Sequence, residues 1–240
     1  MINFLKNLFG RSEWQAQIDS WQKTDEKYSD LVTAPKAAPS TSPKPEASSA
    51  IETDPTVLAH IRAWIDVQAR SGFAQLESLF IDLQEVIEDE GLVFHSGWRA
   101  EMEAALQQQQ EREAAFPTVT ANDRLTAAFS QMNQQDLIAL ENAGYTQSDG
   151  WDDLHQYFDE DGQRAKGGVF YHGQDVERSI TGAGLNIRFG AFGDQGNNLE
   201  IGRQVVEVLK QHGFEPIWNE NPNQVIDLPP FEWQRRQNHD

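Results

Sequence analysis

Apolar positions recur at three- and four-residue intervals over most of the chain and then alternate, with the change falling near Leu137. Phe4, Leu5 and Leu8, then Trp14, Ile18 and Trp21, predict one or two short amphipathic helices interrupted by Gly10. Thr33 to Ala50 contains four prolines among alanine, serine and threonine and reads as an extended linker. Asp54-Pro55 is a helix start, and Leu58, Ile61, Trp64 and Ile65 form its stripe until Ser71-Gly72 ends it. A second helix is expected over Phe73 to Asp89, with Phe73, Leu76, Leu79, Phe80, Leu83, Val86 and Ile87 on one side and Gly91 as its stop. A third runs from Ser96 or Gly97 to Ala115, with weak patterning around Gln107 to Gln110. A fourth follows a Thr120/Asp123 capping arrangement through Leu125, Ala128, Phe129 and Met132.

Beyond Leu137 the strand candidates are Leu137 to Asn142, Gly168 to His172, Leu185 to Phe192, Glu215 to Trp218 and Val225 to Leu228. Leu185, Ile187 and Phe189 alternate with Asn186 and Arg188, as in a sheet with one packed and one wet face. Asn198 to His212, stopped by Gly213, is a late helix expected to cover one face. The class is α+β: an N-terminal helical part, then a mixed or antiparallel sheet of about five strands with one late covering helix. The expected organisation is an amphipathic helical tether (1–32), a linker (33–50) and one α+β domain (51–240), helical over 51–136 and sheet-like over 137–240.

Charge changes this picture by dividing the chain unevenly. Residues 1–50 hold six bases and six acids, residues 51–161 hold five arginines against 22 acids, and residues 162–240 hold eight bases against ten acids. Nearly all of the net charge of −19 therefore belongs to the helical part. Such a field repels nucleic acid and anionic lipid and attracts basic proteins. Glu85, Glu88, Asp89 and Glu90 are the candidate partner surface, because acids at a helix C-terminus oppose its dipole and so stand there for a reason other than helix stability. Cysteine is absent, which excludes disulfides and thiolate chemistry, and no apolar run is long enough to span a bilayer. A cytoplasmic location is expected. Residues 1–21 are expected to serve as a weak membrane-surface or protein-docking element, with only Lys6 and Arg11 to meet anionic lipid.

The polar candidates gather in two motifs at strand ends. Tyr145, Thr146, Gln147, Ser148 and Asp149 form a turn in which Ser148 or Asp149 is the expected cap of a helix opening at Trp151; Asp152, Asp153 and His155 follow. Tyr171, His172, Gln174, Asp175, Glu177 and Arg178 form the second, read as a short helix or wide turn capped by Asp175. Neighbouring strands would bring both motifs to one rim and make His172 beside an aspartate an acid or base. The same arrangement is a common structural hydrogen bond. No metal-ligand spacing, phosphate loop or nucleophile elbow is present, so neither a metal nor a cofactor is expected.

NDRLTAAF, LIALENAGYTQSDGWDD, VFYHGQDVERSITGAGLNIRFGAF, IGRQVVEVLKQHGF and the closing FEWQRR together resemble a bacterial family of unknown function over about Asp54 to Arg236. The resemblance implies one folded unit after the linker and a recurrent role for the two motifs, and it brings no activity. The reading is a non-catalytic acidic interaction protein that neutralises a basic partner such as a toxin. The alternative is a hydrolase-like or transferase-like enzyme with its site at the Tyr145–Gly150 and Tyr171–Asp175 turns.

Removing residues 1–50 is expected to leave a cooperative fold, since few contacts should cross a linker of this composition. A thermal midpoint lowered by more than about 10 °C would place the leading segment in the core.

Overall fold

In the computed structural model, residues 54–73, 76–161, 163–193 and 197–237 are described, and the expected tether and linker lie outside them. Asp54 caps α1 (Pro55–Ser71) by accepting from the Thr56 N–H at 2.8 Å, and Gly72 closes it in the left-handed region at φ 75°. α2 (Leu76–Asp89) and α3 (Ser96–Glu113) follow. Ile61 and Ile65 of α1, Leu79, Leu83 and Ile87 of α2, and Trp98 and Met102 of α3 interlock in one buried cluster. Each set keeps the spacing that puts one helix face inward.

α4 (Ala121–Asn133) opens on a complete capping box between Thr120 and Asp123. The chain then forms β1 (Leu137–Leu140), α5 (Gln147–Glu160), β2 (Gly167–Phe170), α6 (Gly173–Ile180), β3 (Leu185–Ala191), α7 (Asn198–Gln211) and β4 (Ile226–Leu228). The sheet order is β1-β2-β3-β4, with β1 and β2 parallel and the remaining pairs antiparallel. The class is α+β with a mixed sheet, as expected, but of four strands. Glu215 to Trp218 does not form a fifth: Ile217 makes a single bridge to Asp227 and is 63% exposed, while Trp218 turns inward to meet Phe189 edge-on at 5.3 Å. One inward ring anchors this segment, so it needs no ladder.

Leu137, Ala139, Val169, Leu185, Ile187 and Phe189 face α4 and α7, whereas Ile138 and Phe170 face α5 with Leu154 and Phe192. The sheet is thus covered on both sides at β1 and β2, where a single late helix was expected to cover one side. β2 is accordingly squeezed. A Cβ at Gly167 would stand 2.4 Å from the Gly190 carbonyl oxygen and 2.3 Å from Ile201 of α7, so this strand has room only for hydrogen there.

A C-terminal strap, residues 229–237, ties the helical cluster to the sheet. Trp233 is buried and donates its indole N–H to the Ser71 carbonyl at 3.2 Å. Gln234 N–H donates to Asn122 Oδ1, Arg236 to the Pro117 carbonyl and Asp123, and Gln237 to Glu113 and the Ala69 carbonyl. Phe73, expected inside the second helix, precedes it instead. Its ring meets Tyr171 and Trp233, each at 6.3 Å, and Arg235 lies 3.8 Å over it. A helical period assigned it to α2, yet it serves as the joint between layers.

Trp233→Ala should lower the unfolding free energy by about 3–5 kcal/mol, the range for emptying a buried aromatic site. Urea unfolding measures it, and a loss below about 1 kcal/mol would make the strap a passive surface segment.

Candidate functional site

Because β1 and β2 run parallel side by side, their C-terminal ends emerge on the same rim, and each leads directly into a helix. The Tyr145 and Tyr171 motifs are therefore neighbours. Three backbone hydrogen bonds stitch them: Ala143 N–H to the Tyr171 carbonyl at 2.9 Å, Gly173 N–H to Gly144 at 3.0 Å, and Gln174 N–H to Tyr145 at 3.2 Å. Gly144 sits at φ 56°, and a Cβ there would come within 2.3 Å of Asp149 Cβ, so both the turn and the close approach require glycine.

Much of the polar density at these turns is capping. Thr146, rather than Ser148 or Asp149, caps α5; Asp149 stands three residues later and returns a hydrogen bond to the Thr146 N–H at 2.8 Å. That backbone hydrogen bond is the main reason the Asp149 carboxyl lies below its ordinary range. Likewise Asp175 is not the cap of α6. His172 holds the cap position, and Asp175 Oδ2 accepts from the His172 backbone N–H at 3.2 Å. The positive ends of both helices are thus already met by carboxylates of this chain.

Asp175 is the hub of the rim and is 1% exposed. Arg188 Nη1 donates to its Oδ2, His172 Nδ1 stands 3.1 Å from the same oxygen, and Arg178 Nη1 approaches Oδ1 at 4.0 Å. Arg188 also donates to Gln147 Oε1 at 3.1 Å and so links the two motifs. His172 is 3% exposed, and its Nδ1 finds no hydrogen bond of acceptable geometry despite that short distance. Glu177 reaches across instead of lying free: its two carboxylate oxygens each accept from Tyr145 OH at 3.2 Å. Burial and then the Glu177 charge hold the Tyr145 phenol above its usual range, while burial raises Glu177.

The candidates therefore separate by accessibility. Tyr145, Gln147, Ser148, Asp149, Gln174 and Arg178 face solvent, Thr146 is half-buried, and His172 and Asp175 are closed off. Tyr171 turns into the core, where its OH donates to Glu141 at 2.9 Å and burial, followed by Glu141, drives its pKa well up. Asp152 is exposed, Asp153 half-buried, and His155 lies on α5 beside Trp151 and Phe192, apart from the hub. Among the described residues no group of three or more acid or histidine side chains is arranged to hold a metal, and no helix is long and apolar enough to cross a membrane. Arg188 was missed as a site residue. Its alternation places it off the core face, which is the available signal, but alternation cannot name Asp175 as its partner.

The other candidate surface lies on α2, where Glu85, Glu88 and Asp89 are exposed and Glu90 Oε1 stands 2.8 Å from His60 Nδ1. A family model described as a domain of unknown function, DUF6891, matches residues 54–237, so the chain belongs to that family. No curated protein and no solved structure matches it.

Burial pushes the His172 pKa down, Asp175 opposes that shift, Arg188 adds to it, and Asp149 opposes it weakly. A base depressed in the fold stays neutral there while the unfolded chain takes up its proton near pH 6.5. Its stabilising contribution is full above that pH and is lost as pH falls toward the folded pKa. Urea unfolding should show stability declining below about pH 6.5, with the decline shallower in His172→Gln; an unchanged slope would assign it to other groups.

Proposed function

We propose that this member of the family is a non-catalytic binding protein whose acidic helical half receives a basic protein partner. The observation that carries the reading is the distribution of cations around α2. The five arginines of residues 51–161 meet carboxylates and carbonyls away from the end of α2: Arg62 with Glu101, Arg70 and Arg112 with Asp66, Arg99 with Glu103, and Arg124 with the His212 and Gly213 carbonyls. Asp82, Glu85, Glu88 and Asp89 stand exposed toward the C-terminal end of α2, whose last turn has no base. The dipole there disfavours anions, and neighbouring carboxylates repel one another, so the placement costs local stability. A partner bearing lysine and arginine offsets both effects.

A basic toxin neutralised by this surface, in the cytoplasm of a bacterial cell, is the concrete form of the proposal. Residues 1–21 would add a peripheral contact with a membrane surface or a second protein. The enzyme reading has weaker support, because a substrate meeting His172 and Asp175 would first have to open a rim that buries both.

Glu90 is occupied by His60, so the informative reversal is Glu85, Glu88 and Asp89 to lysine. Surface plasmon resonance against the captured partner should show association several-fold slower for this variant, and slower for the native chain as salt rises. An acidic partner, or association indifferent to both salt and reversal, would sink the reading.

A further inference from the structure

A cavity of about 550 Å³ opens where the ends of α1, α3 and α6 meet the strap, away from the rim and from the acidic face of α2. Two arginines line it, Arg70 from the last turn of α1 and Arg112 from the last turn of α3. A cation at a helix C-terminus is ordinary by itself. Here, however, the two converge on one carboxylate: Asp66 takes Arg70 at 3.1 Å and Arg112 at 3.6 Å. Arg70 also donates to the Ile180 carbonyl at 3.2 Å, while the long contact with Asp66 is the ion pair that Arg112 makes. Most of the Arg112 fork therefore remains open to a further acceptor.

Two more polar groups on the wall are poorly satisfied. The Ser179 hydroxyl is buried without a hydrogen bond, and Gln109, 3% exposed, spends its amide on a 3.5 Å contact with Glu113. The lining also includes aromatic rings, Phe231 and Trp233 stacked at 6.0 Å, and Phe116. Glu232 stands at the exposed rim, where it accepts from the Gln234 amide.

We propose that this cavity binds a small aromatic monocarboxylate, its carboxylate between Arg70 and Arg112 and its ring against Phe231 and Trp233. Asp66 holds the anion's place: it is half-exposed, so it turns to solvent at little cost when a ligand carboxylate replaces it. The Glu232 charge at the rim selects against multiply charged anions. The inference is independent of the basic-partner reading, and its probe is an anionic small molecule with no claim on α2.

Isothermal titration of the full chain with 2-naphthoate should give a Kd of ~1 mM, in keeping with a ligand of that size. Arg112→Gln should weaken binding at least tenfold and Asp66→Asn should tighten it several-fold. Neutral 2-naphthamide and acetate should each bind at least tenfold more weakly than 2-naphthoate. In the native chain, 2-naphthoate should shift the Trp233 indole N–H resonance, a readout that needs no variant to fold. Absence of binding, equal binding of 2-naphthamide or acetate, indifference to both substitutions, or an unmoved Trp233 resonance would each overturn the proposal.

Discussion

Trp233 stands between two layers that have no reason in local sequence to meet. Its indole N–H ends on the Ser71 carbonyl, 162 positions away, and its ring packs among Phe73, Tyr171 and Phe231. Beside it Arg235 covers Phe73 and donates to Glu141, which also accepts from Tyr171. A largely covered carboxylate is tolerable only when cations and donors surround it, and for Glu141 they come from the strap and from β2's end together. The helical cluster and the sheet each have a core, and the strap completes their junction. The cavity with Arg70 and Arg112 lies at this same junction, so whatever occupies it would touch both layers and the strap at once.

Features set by near neighbours were legible in the sequence. The Asp54-Pro55 start, the Thr120/Asp123 capping box, the Gly72 and Gly213 stops and the buried stripe of α4 each depend on residues within about four positions. Features set by distant partners were not. Phe73 continues a helical period, and only the location of Tyr171 and Trp233 tells that it belongs to the joint. Thr146 competes with Ser148 and Asp149 for the cap, and the choice is made by the backbone stitching of Gly144 and Tyr145 to α6. Arg70 and Arg112 enter the sequence reading only as two of five arginines, since their convergence on Asp66 depends on how α1 packs against α3.

The rim shows why a dense polar motif need not be a reactive one. Ala143, Gly173 and Gln174 donate from the backbone, Asp149 and Asp175 satisfy two helix starts, and Arg188 neutralises the more buried of those acids. Removing Arg188 would leave the buried Asp175 charge short of its partner, which is far more costly than never placing it there. The motifs therefore carry a structural demand strong enough to account for the presence of His172, Asp175 and Gly144. What this demand leaves facing solvent is the fringe of Tyr145, Gln147, Ser148, Asp149, Gln174 and Arg178 side chains.

The strap also bears on the meaning of the charge. Arg235 and Arg236 deliver cations from the C-terminus to Glu141 and Asp123, two acids at the start of the sheet half and of α4. Acids close to the junction are thus matched by construction. Those on the outer face of α2 are not, although exchanging one or two of them for lysine would favour the helix end and keep a strongly negative chain. Solubility alone asks for net charge and is indifferent to its position. Glu85, Glu88 and Asp89 share a helix-end position with the exposed Asp159 and Glu160 of α5, which likewise has no base in its last turn, and the basic partner proposed above would make the α2 cluster favourable.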